Sequence, residues 1–346
     1  MSDVTHSPVV ADAPNGPILV ADGVHRSFGG VRAVDVGHLE VDRGTVVALI
    51  GPNGAGKTTF FNVLTGFERA DGGTWRFEGN DISGKPAYAT ARAGMVRTFQ
   101  TARVFPRLSV LDNIRLAAKD QAGEHLRTAL FPWRWRRQEA ELGDRAAELG
   151  RWVGLGDKLD DKAGTLSGGQ RKLLELARGV MAAPRLLMLD EPMAGVNPAL
   201  RQLLLDKIRE LPGEGITVLF VEHDMDVVSA ISDVVVCMAE GEVIATGTAG
   251  EVAADQRVVD AYLGGSSGDL RDIEAAVAPA VAALYSDDDA ASSSARTSDA
   301  VADATGADRS GHAETDRADS HAGDSDAGSS HAGDSHDGDS DAGDES

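Results

Sequence analysis

The chain has 346 residues, of which 42% are hydrophobic, with one Cys and a formal net charge of -22. This length allows one large or two medium domains, and a single Cys excludes a disulfide framework. The acidic balance argues against a protein built to coat nucleic-acid backbones. Cys237 lies in an apolar run, so we interpret it as a small buried side chain rather than a reactive thiol.

Elements of two kinds are predicted along the chain after a flexible arm over residues 1–16. Short apolar runs predict strands, and Ala-, Leu-, Glu- and Arg-rich stretches predict helices. The predicted strands cover 18–20, 34–41, 46–50, 72–77, 186–189, 216–221 and 234–239. The predicted helices cover most of 108–155, then 169–182, 198–211 and 225–231. Alternating strands and helices predict a mostly parallel α/β sheet with helices on both faces, interrupted by a helical subdomain at about 101–182.

A glycine-rich segment follows the predicted strand over 46–50. It fits the phosphate-loop pattern G-x-x-x-x-G-K-S/T between a strand and a helix. Glycines let backbone N–H groups approach a phosphate closely, and the helix start adds a partial positive charge. Lys57 would neutralise the β- and γ-phosphates, and the Thr58 hydroxyl would bind Mg²⁺. The predicted nucleotide-binding residues are Gly51, Pro52, Asn53, Gly54, Ala55, Gly56, Lys57, Thr58 and Thr59.

A second glycine-containing segment opens the predicted helix over 169–182. Ser167 suits a helix N-cap, and Gly168 and Gly169 permit close approach of an anion. Gln170 completes the pattern. Taken alone, the segment is equally compatible with an ordinary helix cap.

The apolar run over 186–189 ends in Asp190 and Glu191. Ligands bind at the carboxyl ends of strands in open α/β sheets. We expect Asp190 to hold Mg²⁺ through water and Glu191 to polarise the attacking water. The nearby phosphate loop favours this interpretation over a solvated acidic turn.

The negative charge is concentrated at the C-terminal end. Residues 266–346 carry 20 Asp and Glu against four Arg, a net charge of -16, whereas residues 1–265 carry -6. The end segment has too few large apolar side chains to offset the entropy of ordering. We therefore predict a folded domain over 17–265 and a disordered acidic tail over 266–346.

The composition is also poor in Lys, with 26 Arg against seven Lys and 37 Asp against 18 Glu. This bias resembles proteins of salt-loving archaea, in which hydrated carboxylates maintain solubility while salt screens their repulsion. A GC-rich genome combined with an acidic tail is the alternative. No apolar stretch approaches the roughly 20 residues of a spanning helix, and residues 1–16 show no signal-peptide pattern. We expect a protein inside the cell whose membrane role depends on partners.

Together, these motifs resemble the ATP-binding subunits of ABC transporters, over roughly residues 18–264. A phosphate loop, a Gln loop at Gln100, the signature Leu-Ser-Gly-Gly-Gln, an acidic strand end and a switch His at His223 occur in that order. The resemblance implies a P-loop NTPase core with a mostly parallel sheet, an antiparallel β subdomain and an inserted helical subdomain. It implies an ATPase that uses ATP and Mg²⁺.

The resemblance also implies individual roles. Gln100 would contact Mg²⁺ and the attacking water, where the residue alone would suggest an exposed loop. His223 would contact the γ-phosphate, where a lone His after a strand suggests a structural role. Phe28 would stack on adenine, where a strand Phe usually belongs to the core.

Partners follow from the same resemblance. Two ATPase subunits, identical or different, would pair head to tail, so that Ser167, Gly168, Gly169 and Gln170 of one complete the ATP site of the other. Asn197 stands where the family usually has Asp, which removes a charge at that interface. Separate permease subunits would hold the protein at the cytoplasmic face of the membrane, with the loop over 101–105 receiving a permease helix. A substrate-binding protein would act indirectly, and nucleic acid is not expected.

Four segments resemble the subgroup that serves branched-chain amino acid importers. They cover residues 94–100, 188–198, 221–225 and 261–264, and the aromatic and basic insert at 131–135 also fits. We expect this chain to power uptake of branched-chain amino acids. The alternatives are a urea or short-chain amide importer, a soluble ABC protein of translation or DNA maintenance, and a non-hydrolysing nucleotide sensor.

Overall fold

The computed structural model describes residues 16–100, 103–119, 121 and 132–263, with the side chains of 132–135 excepted. The predicted acidic tail and all but the last residue of the predicted arm lie outside the described residues, as does residue 131 of the aromatic insert. Among the described residues, no helix combines the length and the apolar character needed to cross a membrane.

One sheet is antiparallel and has four strands: β1 (Leu19–Phe28), β2 (Val31–Val41), β4 (Gly72–Phe77) and β5 (Asn80–Asp81), in the order β2-β1-β4-β5. The strand expected over 18–20 continues to Phe28. Its later residues include Asp22, His25 and Arg26, which lie on a half-exposed hairpin, so apolar runs alone could not reveal them.

The second sheet has six strands: β3 (Val46–Ile50), β6 (Met95–Arg97), β7 (Leu186–Asp190), β8 (Thr217–Val221), β9 (Val234–Ala239) and β10 (Glu242–Gly247). Their order is β10-β9-β3-β8-β7-β6, and only the β10–β9 pairing is antiparallel. The expected fold class, a mostly parallel sheet with an antiparallel β subdomain, is confirmed. Strands β6 and β10 were not predicted, because one has three residues and the other is largely half-exposed.

The described helices are α1 (Lys57–Leu64), α2 (Ala87–Ala93), α3 (Val110–Arg115), α4 (Pro132–Trp152), α5 (Gly168–Met181), α6 (Pro198–Glu210), α7 (Met225–Ile231), α8 (Ala249–Ala254) and α9 (Gln256–Leu263). Helices α3, α4 and α5 pack against one another. The mainly helical prediction for 108–155 is confirmed where that stretch is described.

Two apolar cores lie on opposite faces of the six-stranded sheet. Successive side chains of β3 alternate between them: Val46, Ala48 and Ile50 join the core that includes α5 and α6, while Val47 and Leu49 join the core that includes α1 and the antiparallel sheet. This alternation is the period of two expected of a strand covered on both faces. Cys237 is buried, as predicted, and burial raises its pKa to about 12.

Candidate active site

The loop between β3 and α1 contains two glycines at positions where a side chain would be strained and would meet neighbouring main chain. Gly51 and Gly56 have φ angles of 144° and 95°, where a side chain is strained. A Cβ atom at Gly51 would lie 2.0 Å from the carbonyl oxygen of Met238, and one at Gly56 would lie 2.2 Å from that of Ala33. The loop is therefore pressed against neighbouring main chain and can curve tightly around a ligand.

The start of α1 presents positive charge to that loop. Its N-cap is Gly56, which has no side chain to bind the first N–H groups, and the Phe60 N–H is bonded to the Gly56 carbonyl at 2.8 Å. The Lys57 ammonium bends back and donates to the carbonyl oxygens of Gly51 at 2.6 Å and Pro52 at 3.0 Å. Burial lowers the pKa of Lys57, and the nearby Glu191 opposes that shift. This cradle of N–H groups and an ammonium fits a phosphate group.

The buried carboxylate of Asp190 ends strand β7 and is paired with Arg97 at the end of β6. The guanidinium nitrogen Nη2 lies 2.8 Å from Asp190 Oδ2, and Nη1 lies 2.5 Å from Asn62 Oδ1 on α1. Phenylalanine rings surround the guanidinium at 5.5 to 6.0 Å, namely Phe61, Phe67 and Phe99. Arg97 thus joins α1 to the acidic strand end, a role that the sequence did not reveal.

Glu191 follows Asp190 directly but its backbone turns sharply, with φ 46°. Its Oε2 atom accepts a hydrogen bond from the Gln100 carboxamide at 2.7 Å. The Lys172 ammonium donates to the carbonyl oxygens of both residues, at 2.6 Å for Gln100 and 3.2 Å for Glu191. The structure therefore brings Gln100 and Glu191 together, although 91 positions separate them. A carboxylate and a carboxamide in contact can bind and polarise one water molecule.

The comparisons with known proteins identify the family. The family described as "ABC transporter" matches residues 34–194, and "Branched-chain amino acid ATP-binding cassette transporter" matches residues 242–267. The high-affinity branched-chain amino acid transport ATP-binding protein BraF of Pseudomonas aeruginosa is 42% identical over 72% of this chain and 98% of its own. A probable branched-chain amino acid transport ATP-binding protein, LivG of Archaeoglobus fulgidus, is 39% identical over 73% of this chain and 98% of its own.

The chain belongs to the ATP-binding subunits of ABC transporters. A crystal structure of an ATP-binding cassette in its ADP conformation is 38% identical, covers 72% of this chain and 99% of its own, and superimposes with a TM-score of 0.62. This protein is therefore an ABC ATPase, an enzyme that binds and hydrolyses ATP as a transporter subunit. The two relatives named above are branched-chain amino acid transport proteins of this family.

The position of His223 in this ABC ATPase is exposed. It follows β8, the neighbour of β7, and its side chain is 67% accessible. Within the described residues, its ring lies 3.9 Å from the buried carboxylate of Glu222, and no hydrogen bond joins it to Glu191 or Gln100. Glu222 accepts the N–H of Met193 at 3.0 Å, and burial raises its pKa. Glu222 therefore ties the segment after Glu191 to the segment that carries His223.

Phe28 lies at the exposed end of the β1–β2 hairpin of the ABC ATPase. Phe28 is 45% exposed, and the Arg26 guanidinium lies 4.5 Å from the centre of its ring. Arg26 is held by ion pairs to Glu68 and Asp71, at 2.8 and 2.7 Å. The hairpin reaches the phosphate loop where the Ala33 carbonyl meets Gly56. An aromatic ring with this exposure offers a surface on which a base can stack.

The signature segment forms the start of α5. Ser167 and Gln170 form a capping box, in which the Gln170 N–H donates to Ser167 Oγ at 3.3 Å and the Ser167 N–H donates to Gln170 Oε1 at 2.9 Å. In the part of the chain that the structure describes, no hydrogen bond or ion pair joins residues 167–170 to residues 51–59. The helix-cap interpretation is therefore correct for this chain.

The oxygen donors expected for Mg²⁺ come from three separate elements. Thr58 lies on α1, Asp190 ends β7, and Gln100 bonds to Glu191. Mg²⁺ commonly uses one or two carboxylates together with substrate phosphates. Within the described residues, no three His, Cys, Asp or Glu side chains form a metal-binding cluster. The chemistry of the donor set thus fits a metal bound jointly with a nucleotide rather than a metal held by protein alone.

Proposed function

We propose that this ABC ATPase powers the uptake of branched-chain amino acids. The support is the match to branched-chain amino acid transport ATP-binding proteins along 98% of their length, together with the match of the group-specific segment at residues 242–267. The test is deletion of the chain's gene in its own host. We expect uptake of labelled leucine, isoleucine and valine to fall and uptake of urea and acetamide to remain. The reverse pattern would favour an amide importer.

We propose that hydrolysis takes place where the phosphate loop meets the acidic strand end. The backbone N–H groups of the phosphate loop over 51–59 (Pro52, which has none, excepted), the Lys57 ammonium and the Thr58 hydroxyl bind the phosphates. Glu191 accepts a proton from the attacking water while Gln100 orients it, and His223 contacts the γ-phosphate. Phe28 stacks on adenine. Thr58, Asp190 and Gln100 would hold Mg²⁺, which would supply positive charge to the phosphate oxygens.

We further propose that two ATPase subunits act together. The match to the ATP-binding subunits of ABC transporters supports a head-to-tail pair, in which Ser167, Gly168, Gly169 and Gln170 complete the partner's ATP site. Sedimentation of the Glu191→Gln variant tests this: MgATP should convert monomers to dimers, and Ser167→Arg should abolish that conversion.

The permease subunits are proposed to dock beside the Gln loop, at the cytoplasmic face of the membrane. A groove of about 180 Å³ there is lined by residues that include Phe99, Arg103, Glu175 and Arg178. Its neighbour Phe105 is 45% exposed. The loop over 101–105 is described from Arg103 onward. Cross-linking from a cysteine introduced at Phe105 to the permease, in assembled transporter, should occur at this site and not at exposed Tyr88.

The acid-rich, Lys-poor composition supports a further proposal, that the protein belongs to a salt-adapted archaeal cell. Salt screens repulsion between surface carboxylates. The ATPase should therefore reach its highest melting temperature and turnover at molar KCl, whereas a protein of a non-saline cell would gain little above physiological salt.

A further inference from the structure

Lys172 is a buried cation that the roles above leave unused. It lies in the second turn of α5, two positions beyond the signature, and is 8% exposed. Its ammonium donates to the carbonyl oxygens of Gln100 and Glu191, at 2.6 and 3.2 Å. One side chain thus holds the main chains of two residues whose own side chains meet at 2.7 Å. The result is a closed ring of contacts between α5, the Gln loop and the end of β7.

A second charged side chain of α5 holds the same loop. Glu175 is buried and accepts the backbone N–H of Phe99 at 3.2 Å. Residues three apart on a helix share a face, so Lys172 and Glu175 together bind the N–H of Phe99 and the carbonyl of Gln100. Burial raises the pKa of Glu175, and the bond from Phe99 and the charge of Lys172 oppose this shift. Helix α5 is therefore hydrogen-bonded directly to the backbone of the Gln loop.

The chemistry of an ammonium suits this position. Lys offers three donors and no acceptor, so it can serve two carbonyl groups at once. A buried cation without such partners would be costly. The bond from Lys172 to the Glu191 carbonyl oxygen restrains the backbone at a residue whose φ of 46° is unusual for any residue other than glycine. Loss of the ammonium would free both carbonyls without removing any group that contacts the nucleotide.

We propose that Lys172 is a positioning residue for ATP hydrolysis, which ties the helix that begins with the signature to the main chains of Gln100 and Glu191. This inference rests on the roles proposed above for those two residues. A movement of α5 carries Lys172 with it and shifts Gln100 and Glu191 together. Lys172 thereby couples the signature at the start of α5 to Gln100 and Glu191 of the same chain.

The test compares Lys172→Met, Lys172→Arg and the control Lys158→Met, which removes a half-exposed ammonium beside Asp161. Lys172→Met should lower kcat about 10-fold to 100-fold, since a misplacement of about 1 Å costs a rate of that order. Its KM, and its Kd for a fluorescent ATP analogue in the presence of EDTA, should stay unchanged. Lys172→Arg, which keeps the charge and the donors, should recover most of kcat. Lys158→Met should match the wild type.

Glu191→Gln, measured in parallel, separates this inference from the function on which it rests. Wild-type hydrolysis by Glu191→Gln would overturn the role of Glu191 itself. An inactive Glu191→Gln beside a Lys172→Met with wild-type kcat would overturn the positioning role alone. If Lys172→Met does not fold, Lys172→Gln takes its place, because its shorter amide is neutral and still polar. Wild-type kcat in Lys172→Gln, or an equal loss of ATP affinity and kcat, would overturn the proposal.

Discussion

The phosphate loop and the proposed hydrolytic pair of this ABC ATPase are constructed in opposite ways. The loop over 51–59 is continuous in sequence, and its shape is set by glycines that lie against the main chain of Ala33 and Met238. The pair Gln100 and Glu191 is assembled from distant segments and held by Lys172, while Arg97 holds the adjacent Asp190. With the roles proposed for these residues, nucleotide binding would depend on local backbone geometry, whereas hydrolysis would depend on contacts between elements.

The largest effect on stability is expected at Arg97. Arg97→Met leaves the buried carboxylate of Asp190 without its partner, which should lower the free energy of unfolding by about 3–5 kcal/mol. Arg137→Met is the control, because its pair with Glu141 is exposed and should contribute less than about 1 kcal/mol. Chemical denaturation at fixed salt measures both. Equal losses in the two variants would show that the buried pair contributes no more to stability than the exposed pair.

The next largest effect is expected at Gly56, in the phosphate loop. Gly56→Ala should lower the free energy of unfolding by about 2–4 kcal/mol, since the positive φ and the clash with the Ala33 carbonyl both contribute. Gly215 has a similar φ of 78°, but the space around a Cβ atom there is open. Gly215→Ala should therefore lower the free energy of unfolding by only about 1–2 kcal/mol. The difference between the two denaturation midpoints reports the close contact. Identical midpoints would contradict a loop shaped by its neighbours.

A smaller effect, on binding alone, is expected at Phe28. Phe28→Ala should weaken ATP binding by about 1–3 kcal/mol, the usual contribution of stacking between a base and an aromatic ring. Phe28→Tyr keeps the ring and should bind as the wild type does. Isothermal titration with ATP and with inorganic triphosphate separates stacking from phosphate contacts. A loss of triphosphate affinity equal to the loss of ATP affinity would exclude stacking.

The smallest effect is expected from removal of residues 266–346. That segment carries -16 of the net charge but few large apolar residues, so we expect unchanged kcat and a change in solubility or salt dependence. Steady-state ATPase assays over a range of KCl test this. Loss of turnover at every salt concentration would assign the segment a role in the enzyme itself.

The sequence predicted the parts of the site that lie close together along the chain. The phosphate loop and the pair Asp190–Glu191 can each be recognised from nine or fewer consecutive residues. In each case the motif directly follows an apolar strand in the sequence. Strand β1 of the antiparallel hairpin is longer than predicted, because a strand with one exposed face has few consecutive apolar residues.

The supporting residues could not be predicted in the same way. Arg97 occupies a three-residue strand between Val96 and Thr98, and its partners Asn62 and Asp190 lie far along the chain. Lys172 on a helix suggests a solvated face until the fold places Gln100 and Glu191 against it. Asn197, expected at a subunit interface, has a local role as well: it caps α6 by accepting the Leu200 N–H at 3.0 Å.

The most direct measurement is single-turnover hydrolysis of MgATP by Glu191→Gln, with ATP binding measured on the same sample. General-base catalysis contributes about 10²–10⁴ in rate, so the variant should lose hydrolysis by that order and bind ATP with wild-type affinity. Hydrolysis at the wild-type rate, with binding intact, would contradict the assignment of Glu191 and with it the account of how this ATPase works.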